Sequence, residues 1–311
     1  MKIAMLGAGA MGSLFGAYLS QQHDVTLVDV NRARVDYLNA NGVAVTEPAN
    51  AGVRVFHPKA VCSTVGMGPA DLVVVFVKAM FTEAALSDNR GLIGPDTYLL
   101  SMQNGAGHEA KLLAFAGRER AVLGTTQHNS SILPDGGVNH GGCGQTFLGL
   151  LEGGGSKVQF LADAFTACGI ETQTSDCIRA KVWEKLFLNT AASSLTAVLQ
   201  APLGFIADNP HACLLMERLA AEAVAVANAE TNAGFEAGKV IADITRVLQN
   251  SRGGYTSIYA DLKNGRLTEV DTISGAVVAA ARRWGVAVPV HEAVVAMIHA
   301  MEARNQAQPQ T

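Results

Sequence analysis

Four polar residues recur at steps of four in the stretch IRAKVWEKLFLNTAASSLTAV, residues 178–198: Lys181, Lys185, Asn189 and Ser193. On a helix this spacing makes one row that drifts slowly round the cylinder, and Val182, Leu186, Leu188 and Ala192 frame it with apolar side chains. A buried ammonium beside a neutral amide and a hydroxyl can stabilise and protonate the alkoxide that forms when hydride reaches a carbonyl. Lysine suits the task because burial lowers its pKa toward neutrality, whereas a guanidinium stays charged. Within the row Lys185 is the better candidate, because its partners Asn189 and Ser193 are neutral. Lys181 reads instead as an exposed lysine with Glu184 nearby.

A hydride donor is encoded at the other end of the chain. The opening MKIAMLGAGAMG sets Gly7, Gly9 and Gly12 in G-x-G-x-x-G, directly after a hydrophobic strand and at the mouth of a helix. With Ala8, Ala10 and Met11 these glycines would let the backbone turn tightly, approach a pyrophosphate and present helix N–H groups to it. Asp29, 17 residues after the third glycine, closes the strand VTLVD, where a carboxylate accepts from the adenosine ribose 2'-hydroxyl. That favours NAD(H), since a 2'-phosphate there would meet a like charge at a cost of about a few kcal/mol. Arg32 and Arg34 are close enough to soften that repulsion, or they form the solvated face of the next helix.

The elements that must position these residues follow from periodicity. KIAML, a helix from about Met11 to Ser20, DVTLVDV, a helix through RARVDYLNA, DLVVVFV, TYLLSMQN and AVLGTTQ alternate strand and helix, the rhythm of a doubly wound parallel sheet. Glycine-rich sequence between Ser130 and Gly155 suits an antiparallel extension. After Asp176 nearly every segment reads helical: 178–198, 208–231, 239–249, 257–263, 271–284 and 291–304. Breaks fall at glycine or proline. The expectation is an α/β chain, with a Rossmann dinucleotide-binding domain over 1–176 and an all-helical substrate domain over 177–311.

Composition excludes other classes. Charged residues are 16% and hydrophobic ones 49% of 311, the net charge is -4, and no lysine or arginine run offers a footprint for nucleic acid. The longest apolar runs are too short to span a membrane and no signal peptide is legible, so the expectation is a cytoplasmic protein that acts on a small molecule. The chain should fold alone or as a close-packed oligomer such as a homodimer. Five cysteines lacking C-x-x-C spacing read as buried free thiols, and the eight histidines read as surface or loop residues, so no metal site is expected. HEAVV at 291–295 lacks the second histidine of a zinc-protease helix. GFEAGKV at 234–240 is too short for a P-loop and has no Ser or Thr after the lysine.

The motifs LGAGAMG, VKAMFTEAA (77–85), QNGAG (103–107), GTTQHNS (124–130), KVWEKLFLN (181–189), SLTAV (194–198) and LTEVDTISG (267–275) together resemble the ketopantoate reductase family over essentially the whole chain. The resemblance implies reduction of a 2-oxo acid, ketopantoate, to pantoate in a cleft between the two domains, a step of pantothenate biosynthesis. On it, Lys185 matches the general acid, Asn189 a substrate-orienting amide and Ser257 the hydroxyl that holds the substrate carboxylate. Glu269 matches an acidic residue near substrate and cofactor, and Lys78 and Asn104 match cofactor-side positions. Read without the family, Glu269 and Ser257 could be helix caps and Asn104 a turn residue. Two positions depart from the pattern. Ser193 stands where a second asparagine is usual, and Val30 stands where an arginine usually receives the NADP(H) 2'-phosphate. The fold and lysine are also shared with NAD-dependent D-2-hydroxyacid dehydrogenases resembling D-mandelate dehydrogenase, the alternative reading. A non-catalytic dinucleotide sensor would keep the glycine loop but need neither Lys185 nor Glu269.

Overall fold

A computed structural model describes residues 1–151 and 154–307. The chain divides into two compact units: Met1–Gln103 with His108–Lys181, and Asn104–Gly107 with Val182–Thr311.

In the first unit the chain runs through β1 (Lys2–Leu6), α1 (Ala10–Leu19), β2 (Asp24–Val28), α2 (Arg32–Asn41), β3 (Val43–Thr46), β4 (Val53–Phe56), β5 (Lys59–Val61) and β6 (Leu72–Val75). It continues through α3 (Thr82–Asp88), β7 (Tyr98–Ser101), α4 (Glu109–Leu113), β8 (Ala121–Thr126), β9 (Asn129–Ile132), β10 (Val138–Gly142), β11 (Thr146–Leu150), α5 (Gln159–Ala167) and β12 (Thr172–Thr174). The main sheet has the order β12-β11-β8-β7-β6-β1-β2-β5. From β5 to β8 this is the doubly wound order, with the strand reversal at β1 and β6 that leaves a binding crevice at the carboxyl edge. The alternating side chains of each central strand feed two cores. Ile3, Met5, Leu72 and Val74 pack with Phe15 and Phe165 on one face. Ala4, Leu6, Val73 and Val75 pack with Leu99 and Leu112 on the other, the pattern of strands covered on both sides.

The glycine-rich stretch divides its strands between two sheets. β11 runs antiparallel to β8 and extends the main sheet, whereas β9 and β10 form an antiparallel pair in a second sheet of order β4-β3-β10-β9.

The second unit holds α6 (Ile178–Leu188) from Val182 onward, α7 (Ser194–Leu199), α8 (Leu203–Asp208), α9 (Pro210–Thr231), α10 (Ala237–Asn250), α11 (Ser257–Lys263), α12 (Ser274–Trp284) and α13 (Pro289–Ala307). Trp183, Leu186, Leu195, Met216, Leu219, Val277 and Ile298 build its core. The expected uninterrupted helix over 178–198 is not present. Asn189–Ser193 form a π-turn between α6 and α7, so the four-residue row of the sequence is re-aimed at Asn189. The expected helix over 208–231 likewise starts at Pro210, with the Asn209 side chain capping the N–H groups of His211 and Ala212.

Candidate active site

The candidate residues fall into two groups, each within its own unit. In the first, the three glycines do three separate jobs. Gly7 has φ +103°, and a Cβ there would lie 2.8 Å from the Val77 nitrogen, so the turn after β1 closes only with glycine. A Cβ on Gly12 would lie 1.9 Å from the Gly7 oxygen, so α1 sits on that turn only without a side chain. Gly9 is exposed and has nothing within 4 Å of its missing Cβ, which leaves open the surface a pyrophosphate would approach. Gly9 is also the N-cap of α1 and offers no side-chain cap, so the first-turn N–H groups around Ala10 and Met11 point outward at the positive end of a ten-residue helix.

Asp29 follows β2 and is tied to the glycine turn. One carboxylate oxygen accepts from Ala8 N–H at 2.8 Å and the other from Asn31 N–H at 2.9 Å. Each oxygen keeps a second lone pair for a ribose hydroxyl. The alternatives left open for the two arginines resolve differently. Arg32 is exposed, while Arg34 is half-buried, donating from Nε to the Ala8 carbonyl at 3.1 Å and from Nη2 to Ser13 Oγ at 3.0 Å. Val30 is 91% exposed and offers no charge to a phosphate. Lys78 is partly buried just after β6, where the chain turns at the carboxyl edge of the sheet.

In the second unit, Lys185 is partly buried on α6 and its ammonium donates to Asn104 Oδ1 at 2.9 Å. Burial pulls its pKa down from 10.5 to about 8, and the nearby Glu269 carboxylate works in the opposite direction. A single turn organises all three groups. The Glu269 carbonyl accepts from the N–H groups of Thr272 and Ile273, both at 3.1 Å, and the Thr272 carbonyl accepts from Ala106 N–H at 2.8 Å. Gly105 has φ +89°, and a Cβ there would lie 1.9 Å from the Thr272 oxygen, so the Asn104–Gly107 loop can dock on that turn only with glycine at its centre. The Glu269 turn is tied in turn to α13, since Thr268 N–H donates to Glu302 Oε1 at 2.7 Å.

The π-turn that carries Asn189 is held by a buried polar chain that the sequence analysis missed. Thr190 Oγ1 lies 3.0 Å from Ser274 Oγ and 2.8 Å from His291 Nε2, and Ser274 Oγ lies 2.6 Å from Ser194 Oγ. On its other side His291 Nδ1 meets Glu222 Oε2 at 2.8 Å. Desolvation raises the Glu222 pKa, but hydrogen bonds from the His291 ring and from the Val290 and His291 N–H groups outweigh it and leave the carboxyl below its usual value. The motif HEAVV was the sequence signal of this network: a histidine near the start of a helix, with both ring nitrogens engaged by hydrogen bonds.

Asn189 is partly buried at the start of the π-turn. Ser193 is buried at its end, where its carbonyl accepts from Thr196 Oγ1 at 2.9 Å. Ser257 is exposed at the first position of α11, and the cap is the preceding Thr256, whose Oγ1 accepts from Tyr259 N–H. Ser257 is therefore not the cap that its type suggested.

Three expectations about residue environment are corrected. His108, His128, His140 and His291 are buried rather than superficial; His128 packs against Phe15, His140 meets Tyr18, and His291 meets Thr190 and Glu222, all far away in sequence. Of the five free thiols only Cys168 is buried, and Cys143 and Cys177 are exposed. Lys181 is partly buried, its ammonium 4.9 Å from the centre of the Phe147 ring, a cation–π contact rather than a solvated lysine.

Residues 3–153 match the family described as "Ketopantoate reductase PanE/ApbA" and residues 177–302 match its C-terminal counterpart. The chain belongs to the ketopantoate reductase family. Among its relatives, the 2-dehydropantoate 2-reductase of Halobacterium salinarum is 32% identical over 293 residues, 93% of this chain and 95% of that one. That of Pyrococcus horikoshii is 29% identical over 97% of this chain and 98% of its own. Two solved structures superpose with TM-scores of 0.90. One is the 2-dehydropantoate 2-reductase from Geobacter metallireducens, 29% identical over 96% of this chain and 99% of that one. The other is a ternary complex of D-mandelate dehydrogenase with NADH and anilino(oxo)acetate, 30% identical over 99% of this chain and all of that one. Among the described residues, no helix is long and apolar enough to cross a membrane.

Proposed function

We propose that this chain reduces ketopantoate to pantoate, taking hydride from a nicotinamide dinucleotide whose pyrophosphate is held at the Gly7–Gly12 turn. Lys185 gives the alkoxide its proton. The observation that carries the reading is the state of Lys185: partly buried, hydrogen-bonded to Asn104 and held near pKa 8. It is then mostly protonated at neutral pH, yet gives up its proton far more readily than a solvated lysine. The bound cofactor supplies the hydride. The protein's own groups orient the substrate and move the proton, with Asn189 at the start of the π-turn orienting the reacting oxygens, Ser193 at its end contributing a hydroxyl, and Ser257 holding the carboxylate at the amino end of α11.

For the cofactor, Asp29 at the glycine turn and the exposed, uncharged Val30 support NADH over NADPH.

A second reading has its own support. The likeness to D-mandelate dehydrogenase, together with Ser193 in place of a larger amide, suits a bulkier 2-oxo acid. One assay separates the readings. Nicotinamide absorbance is followed with ketopantoate, phenylglyoxylate and pyruvate, each with NADH and NADPH. Fastest turnover with ketopantoate supports the first reading and fastest turnover with phenylglyoxylate the second. Cofactor binding with no turnover of any substrate would mean a sensor.

A further inference from the structure

The first unit holds a cluster that the chemistry above does not use. His128 lies just before β9 and His140 on β10, where it pairs with Ser130 across the antiparallel ladder. Side-chain alternation places positions 128 and 130 on one face, so both imidazoles point the same way. The ladder shifts register between His140 and Gly142, a bulge that re-aims the chain just before Cys143. The Cys143 sulfur and one ring nitrogen from each histidine lie within 4.8 Å of one another.

The hydrogen bonds behind this cluster have one consistent direction. Tyr18 Oη lies 2.6 Å from Glu47 Oε2 and donates to it, since a carboxylate only accepts. Tyr18 then accepts from His140 Nδ1 at 2.9 Å, which leaves a lone pair on His140 Nε2. That lone pair takes the Nδ1 proton of His128 at 2.9 Å. The chain ends at His128 Nε2, a buried nitrogen with no partner.

We propose that His128, His140 and Cys143 form a zinc(II) site. Two imidazoles and a thiolate are the donors of a borderline-soft ion and not of magnesium or calcium. The ring nitrogens that now share a proton at 2.9 Å need part by only a few tenths of an ångström, because two nitrogens on a tetrahedral zinc lie about 3.3 Å apart. On binding, the Cys143 thiol proton leaves to solvent and the proton held between the rings moves to His128 Nε2, while the zinc takes up the thiolate and the two freed lone pairs. Tyr18 and Glu47 become the hydrogen-bonded support behind His140, the arrangement that fixes a metal-bound imidazole. Cys143 is exposed, so the fourth position opens to water. The site ties the β9–β10 pair together and takes no part in hydride transfer.

The test titrates the metal-free full-length protein with cobalt(II) and then zinc(II). The expected result is one equivalent of cobalt with a thiolate charge-transfer band, displaced by zinc, and a zinc-dependent rise in melting temperature. Cys143→Ser, at an exposed position, should abolish the band and the rise. Cys177→Ser, the other exposed thiol, should keep both. His128→Gln should weaken zinc binding by at least about tenfold to a hundredfold. No cobalt band, a band that survives Cys143→Ser, or loss of binding in Cys177→Ser alone would overturn the proposal.

Discussion

The Lys185 ammonium and the Asn104 side-chain oxygen lie 2.9 Å apart, although the residues are 81 positions apart in sequence. The same turn that brings Glu269 near the lysine also grips the Asn104 loop through Thr272 and Gly105. Lys185, Asn104 and Glu269 are thus linked through one piece of backbone.

The rate of reduction should fall as pH rises through about 8, because neutral Lys185 cannot donate, and the reverse oxidation should rise over the same range. Burial lowers this pKa and Glu269 raises it, so Glu269→Gln should move the break to lower pH. Profiles of kcat/KM against pH for both proteins check this. A break at the same pH in the variant would contradict the role given to Glu269.

Asn104→Ala should reduce kcat by about tenfold to a hundredfold, since a hydrogen bond to a charged group contributes about 1.5–3 kcal/mol. Gly105→Ala should act on the same loop from a different direction. The added carbon would collide with the Thr272 carbonyl, so the loop should lose its docking and kcat should fall although no polar group is removed.

The π-turn network makes a prediction about stability. Its Glu222 pKa is depressed in the folded state, so its contribution is present above the unfolded value near 4.5 and is lost as pH falls through the folded value. Melting temperature should therefore drop below about pH 4.5, and Glu222→Gln should be less stable at neutral pH and flatter in acid. His291→Ala should cost about 1–3 kcal/mol by leaving Thr190 and Glu222 without their buried partner.

NADH should show a KM at least about tenfold below that of NADPH, because a 2'-phosphate beside Asp29 meets a like charge. Asp29→Asn should narrow that gap by removing the charge while keeping one acceptor. Parallel titrations with both cofactors measure it, and a preference for NADPH in the unaltered protein would refute the assignment.

The alternation of strand and helix and the three glycines were legible because both are local patterns, whereas the short strands β3, β4 and β5 between α2 and β6 were not read from the sequence. Lys185 was legible for the same reason, as a lysine among neutral partners in an apolar frame. The π-turn was not, because Asn189 and Ser193 at a step of four read as α-helix and no glycine or proline marks the extra residue. The buried histidines were hidden too. What buries His140 is Tyr18, 122 residues away, and His291 is satisfied by Thr190 and Glu222 on other elements. Spacing along the chain carries no trace of such pairs, and the gathering of His128, His140 and Cys143 depends on a strand register that only the fold supplies.

The most direct test of the account replaces Lys185 with alanine and measures reduction of ketopantoate alongside cofactor affinity and melting temperature. The account predicts a rate lower by about a hundredfold to ten-thousandfold, with cofactor binding and fold retained. A variant that turns over at the full rate would contradict it.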